Sequence, residues 1–151
     1  MDYSHDDAGL VRQPIGYWAW AAQDAVVTYI RARLAEVGLS QPQWWVLSQL
    51  AGSPGGRDRA ELADFLQGYL KVGTLTMLDE IDTLLDRDLV TEENGLLTLT
   101  PEGAELQARA AERQTAVRAT IHADIPDEEY VRTLKTLQRM IHNVNGSAWH
   151  H

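Results

Sequence analysis

At 151 residues, with 44% hydrophobic and 23% charged side chains, the chain has the size and composition of one globular domain with room for a full core. The absence of cysteine excludes disulfides, thiolate metal sites and a cysteine redox switch. Of the net charge of −9, residues 40–103 carry −7, with four Lys/Arg against eleven Asp/Glu, whereas 1–39 hold three against five and 104–151 six against six.

Residues 1–13 are polar and acidic and are expected to form a disordered arm. No apolar core follows basic residues there, so no signal peptide is visible, and no apolar run approaches the ~20 residues that span a bilayer. A cytoplasmic protein is the expectation. Pro14 suits the first turn of a helix, where its missing N–H costs little. Ile15, Trp18, Ala22, Val26, Tyr29 and Leu34 then mark an apolar stripe that closes at Gly38, a C-cap residue. A helix over 14–38, about 24 residues, spans ~36 Å, long for a small domain unless a partner covers part of it. Ser40-Gln-Pro-Gln43 is a capping box with Pro in the first turn, opening a second helix through Leu50. Trp44, Leu47 and Leu50 or Ala51 face inward in that helix. Gly52-Ser-Pro-Gly-Gly56 is a loop.

The stretch from Asp58 to Thr100 organises the rest. Asp58 suits an N-cap with Glu61 three residues on, opening a helix through Phe65 and Leu66. A break is expected around Gly68 and Gly73. Thr74 to Asp86 then carries Met77, Leu78, Ile81, Leu84 and Leu85 at helical spacing. Two short β-prone runs follow on either side of Asn94-Gly95, the dipeptide that supplies both positive-φ residues of a type I′ turn. Helix, turn, helix and hairpin in that order make a winged helix, residues 40–103.

Thr100-Pro101 restarts a helix, and Asp124-Ile-Pro126 interrupts it. In the last helix Asp127, Glu128 and Glu129 favour the N-terminal dipole. Tyr130, Leu134, Leu137, Ile141 and Val144 then alternate spacings of four and three, an a/d seam of two heptads built for packing. Residues 146–151 read as a tail or an appended remnant. The expected fold is mostly α with a small β-hairpin: a single domain over 14–145, in which the helices of 14–38 and 101–145 flank the winged unit.

Ala60-Glu-Leu-Ala63, the apolar helix after it, Arg87-Asp-Leu-Val90 entering the hairpin and Leu97-Thr-Leu-Thr-Pro-Glu-Gly103 leaving it resemble the multiple-antibiotic-resistance-regulator (MarR) family of winged-helix transcription regulators. The resemblance runs from about Gln13 to Val144. It implies a homodimer whose first and last helices interlock through Ile15, Tyr130, Leu134, Leu137, Ile141 and Val144. It also implies double-stranded DNA as partner, and a small aromatic effector held between the first helices and the winged unit. Trp18, Trp44 and Trp45 are the candidate walls of that pocket, with Arg12, Arg33 or Gln43 as polar contacts. The competing account is that these rings fill the core and the dimer interface.

The sequence departs from the family at the reading surface. Where Arg, Ser and Thr usually face the groove, this helix carries Asp79, Glu80, Asp82 and Asp86, and the hairpin tip is Glu92-Glu93-Asn94-Gly95. Carboxylates remove the attraction on which phosphate binding rests. The candidate DNA contacts are therefore few: Arg57 and Arg59 at the head of the first winged helix, Lys71, Thr74 and Thr76 at the head of the second, and Arg87 at its end. An alternative function follows, a winged-helix relative whose acidic face meets a protein or ligand instead of DNA. Asp79, Asp82 and Asp86 share one face but lack the loop-borne oxygen set of a hard-cation site, and the histidines show no ligand spacing, so no metal or cofactor is expected. No nucleophile–base pair or phosphate-cradling glycine loop appears, and an enzyme is not expected.

Overall fold

The computed structural model describes residues 2–70 and 73–148, without the side chains of 69 and 70. Seven helices and three short strands follow in the order α1 (Asp7–Leu10), α2 (Ile15–Ala35), α3 (Gln41–Ala51), β1 (Arg57–Asp58), α4 (Arg59–Leu70), α5 (Thr74–Asp86), β2 (Val90–Glu93), β3 (Leu96–Leu99), α6 (Pro101–Ile121) and α7 (Asp127–Asn143). Within the arm expected to be disordered, Asp6 caps the single turn α1 through a bond from the Gly9 N–H at 2.8 Å.

The helix ends are set by local chemistry. α2 stops at Ala35, three residues short of the expected Gly38, in a paired terminal motif: Leu39 N–H reaches Leu34 O at 3.1 Å and Gly38 N–H reaches Ala35 O at 3.0 Å, with Gly38 at φ +73°. The capping box of α3 is complete, with Gln43 N–H on Ser40 Oγ at 3.2 Å and Ser40 N–H on Gln43 Oε1 at 3.1 Å. Asp58 Oδ1 accepts from Ala60 and Glu61 N–H at 2.9 and 3.0 Å, which opens α4. The expected break at Gly68 does not occur, since α4 runs through it to Leu70, whereas Gly73 stands at the expected break as the N-cap of α5.

The hairpin closes at Asn94 and Gly95, with φ of 55° and 82°, the two positive values of a type I′ turn. Its register pairs Val90 with Leu99 and Glu93 with Leu96. The sheet has a third strand that the sequence pattern does not announce: β1 pairs Arg57 with Leu97 and Asp58 with Leu96, so the order is β1-β3-β2. Two residues are too few for a period-2 pattern to register.

Leu34, Val46, Leu47, Leu62, Leu66, Met77, Ile81, Leu84, Val90 and Leu97 are fully buried and form the core where α3, α4, α5 and the sheet meet the C-terminal end of α2. Thr100 fastens α6 to this unit, donating its hydroxyl to Asp88 O at 2.7 Å and capping Gly103 N–H at 3.0 Å. Leu106, Ala110 and Val117 carry the buried side of α6. The stripe expected on α2 is buried only at Leu34; Val26 and Tyr29 are half-buried, and Ile15, Trp18 and Ala22 are exposed. No residue of α7 is buried. No helix among the described residues is long and apolar enough to cross a membrane.

Candidate nucleic-acid interface

α5 and the hairpin present one continuous surface. Met77, Ile81 and Leu84 bury one side of α5, which leaves Leu75, Thr76, Asp79, Asp82, Thr83 and Asp86 exposed on the other. β2 shows Thr91, Glu92 and Glu93 beside it. The helix that would read a duplex is thus open to solvent, and its open face is acidic.

The three arginines expected there are engaged within the chain. Arg57 donates to Gln49 Oε1 at 2.6 Å and lies over the Phe65 ring at 5.0 Å. Arg87 donates to Gly38 O at 2.9 Å and to Gln43 Oε1 at 3.3 Å, joining the end of α5 to the α2–α3 turn. Arg59 is held most fully. Its Nη1 meets Glu92 Oε2 at 2.8 Å and its Nη2 meets Asp82 Oδ1 at 2.6 Å, so one guanidinium bridges the wing and the recognition helix. Its backbone N–H also reaches Gly95 O at 2.9 Å, at the hairpin turn. The bond to Glu92, then that to Asp82, raise the guanidinium above its ordinary value, and burial opposes them only in part. As pairs between partly exposed side chains, these bridges contribute about 0.2–1 kcal/mol each to stability.

Of the remaining candidates, Thr76 is exposed near the head of α5, and Thr74 donates to Asp64 Oδ1 at 3.3 Å. Lys71 lies outside the described residues. Glu80, counted with the acidic face from the sequence, instead turns toward α3 and accepts from Gln43 Nε2 at 2.7 Å.

The effector candidates fall into separate environments. Trp44 and Trp45 are half-buried and pack against the core from α3. Trp18 is 40% exposed on the free half of α2, edge-on to Tyr17 at 5.4 Å. Arg12 is exposed, and Arg33 pairs with Glu36 beside Tyr29. Gln43 is buried and committed to the capping box, Glu80 and Arg87. Among the described residues three buried side-chain polar atoms lack a partner: Arg33 Nε on α2, Ser48 Oγ on α3 and Gln114 Nε2 on α6, three helices that pack on one another. Ser48 and Gln114 carry no sequence signal, because a small or amide side chain in a helix is ordinarily surface.

The packing candidates range from half-covered to exposed. Ile15 is 50% exposed, Leu134 40% and Val144 76%, while Leu137 and Ile141 are half-covered. Tyr130 is anchored at the α6–α7 elbow, 4.4 Å from the His122 ring with Arg118 over its face at 5.6 Å.

No protein-family model matches the chain, and no curated protein does. Solved structures match over nearly its whole length. Rv2887, a MarR family protein of Mycobacterium tuberculosis, is 28% identical over 91% of this chain and 99% of its own, with a TM-score of 0.68. Its complex with DNA matches at 26% identity, 85% and 98% coverage and TM-score 0.67, and its complex with salicylic acid at 26%, 84%, 98% and 0.62. A MarR family transcriptional regulator from Silicibacter pomeroyi shares the fold at 20% identity, 93% and 99% coverage and TM-score 0.71. Matching solved structures of MarR family proteins over nearly the full length of both chains, the chain shares their winged-helix fold and is similar to that family.

Proposed function

We propose that the protein is a dimeric, cytoplasmic, DNA-binding transcriptional regulator whose affinity for a duplex answers to a small aromatic acid. The observation that carries this reading is the exposed side of α5 lying open beside the wing, on a fold shared with a relative captured on DNA. In the dimer, two α5 helices enter successive major grooves about one DNA turn apart. Thr76 and Thr74 at the head of α5 are the candidate base contacts, and the basic residues around it are the candidate phosphate contacts.

The apolar surfaces left open on α2 and α7 support a second copy as partner, through Ile15, Tyr130, Leu134, Leu137, Ile141 and Val144. An aromatic acid, as in the salicylate complex of Rv2887, fits the half-buried Trp44 and Trp45 together with the unpaired Arg33 Nε, Ser48 Oγ and Gln114 Nε2, donors suited to a carboxylate. Occupying the seam between the flanking helices and the winged units shifts the population between two dimer geometries, and with it the spacing of the α5 pair.

Fluorescence anisotropy with a duplex from the region upstream of the protein's own coding sequence tests the reading. Sequence-preferring binding that salicylate weakens is expected; binding no tighter than micromolar and indifferent to sequence overturns it. One observation favours a second reading. Arg57, Arg59 and Arg87 are all engaged inside the chain while Asp79 and Asp86 face solvent, which suits a module that meets a basic protein instead of DNA. That reading predicts failure in the same assay.

A further inference from the structure

We propose that Arg59, Asp82 and Glu92 form an internal latch: two carboxylates occupy the guanidinium that a DNA phosphate would take, so the chain engages a duplex fully only when the latch opens. The inference rests on the DNA-binding reading above. Arg59 starts α4, Asp82 stands on the exposed side of α5 and Glu92 on the wing strand, so the three meet in the gap between recognition helix and wing. A phosphate backbone lying against both elements would pass that gap. There it meets one cation and two anions, a net repulsion, although the cation alone would attract it.

The geometry is that of a phosphate receptor already filled. Both Nη atoms of the guanidinium are engaged, one on each carboxylate, at 2.8 and 2.6 Å, the fork arrangement in which arginine also holds phosphate. Asp82 remains 53% exposed, so one arm of the fork is open to exchange from solvent. Arg57 and Arg87 are spent differently, on neutral acceptors and a ring, and releasing them would uncover no masked charge. Arg59 is therefore a positioning residue in the free chain and becomes a phosphate contact when displaced from its carboxylates.

The test separates a latch from simple repulsion. Duplex affinity is measured between about 50 and 200 mM salt, the range over which phosphate contacts separate clearly, for the wild type, D82N/E92Q, D79N/D86N and D82N/E92Q/R59Q. Asp79 and Asp86 lie on the same helix face as Asp82 but outside the clamp, so D79N/D86N removes equal charge without touching Arg59. Circular dichroism confirms that each variant is folded. D82N/E92Q is expected to bind about tenfold tighter, with a log–log salt slope steeper by about one per subunit, the signature of one added phosphate contact. Adding R59Q removes both gains, whereas R59K retains the slope. Equal gains from D79N/D86N, or gains that survive R59Q, overturn the latch and leave the DNA reading standing. If no folded variant binds any duplex at the lowest salt, the DNA reading itself fails, and the latch with it.

Discussion

Gln43 Nε2 donates to Glu80 Oε2 at 2.7 Å while Gln43 Oε1 accepts from Ser40 N–H at 3.1 Å, so one buried carboxamide both closes the cap of α3 and holds the recognition helix. Gln43→Ala leaves a backbone donor and a part-buried carboxylate without their partner, a loss of about 1–3 kcal/mol. Gln43→Glu sets a second carboxylate against Glu80 and is expected to cost more. Urea denaturation checks both: the midpoint falls, further for the Glu variant, at an unchanged m-value. Equal midpoints for the wild type and the Ala variant would show that the carboxamide carries no structural load.

Gly103 occupies a second junction where no side chain fits. A Cβ there would overlap the carbonyl oxygen of Leu89, a backbone atom that cannot swing aside. The glycine lets α6 start hard against Leu89 at the entry to β2, under the Thr100 cap. Gly103→Ala must push the flanking helix away from the winged unit, and a loss above about 3 kcal/mol is expected. The check is thermal unfolding, where about 2–4 °C per kcal/mol applies to a chain of this size. A variant that melts with the wild type would mean that the two elements do not meet so closely.

These two residues also mark what the sequence makes legible. The caps at Ser40, Asp58 and Thr100 and the Asn94-Gly95 turn are local devices, each written within four residues, and each forms as its spacing implies. The winged helix follows from their order. Long-range partners leave no local trace. The carboxylates of Asp82 and Glu92 lie 23 and 33 residues from Arg59, so arginines that look available for phosphate in the sequence prove to be held by distant groups. Glu80 reads as part of an acidic face, yet points at Gln43 from 37 residues away. Gly68 fails as a helix breaker because Leu62, Ala63 and Leu66 are buried in the same helix, and burial outweighs a glycine cost of about 1 kcal/mol.

α7 gives the most direct prediction about assembly. Its seam residues Leu134 and Leu137 sit on a helix with no buried residue, and burying a leucine contributes about 1.5–3 kcal/mol. Leu134→Asp or Leu137→Asp therefore weakens self-association while leaving the winged-helix core unchanged. Sedimentation equilibrium is expected to shift from a dimer to the 16.9-kDa monomer, with the helical signal largely retained. A wild-type chain that sediments as a monomer at micromolar concentration would remove the dimer, and with it the two-groove mechanism.

The tryptophans separate the two surfaces by exposure. Trp20, 60% exposed, and Trp18 stand on the free half of α2, whereas Trp44 and Trp45 are half-buried at the core. An aromatic acid bound against α3 quenches the second pair and leaves Trp20 largely unaffected. Titrating salicylate into the wild type, W20F, W44F and W45F is expected to give saturable quenching that W20F keeps and that W44F or W45F loses in large part. Replacing Ser48 by Ala removes one of the unpaired polar atoms without disturbing a hydrogen bond of the described residues. It is expected to weaken salicylate by about 0.5–1.5 kcal/mol, the net worth of one hydrogen bond, with stability unchanged or slightly raised. Quenching equal in all three single-substitution variants, or linear without saturation, would mean that the indoles of α3 serve the core alone.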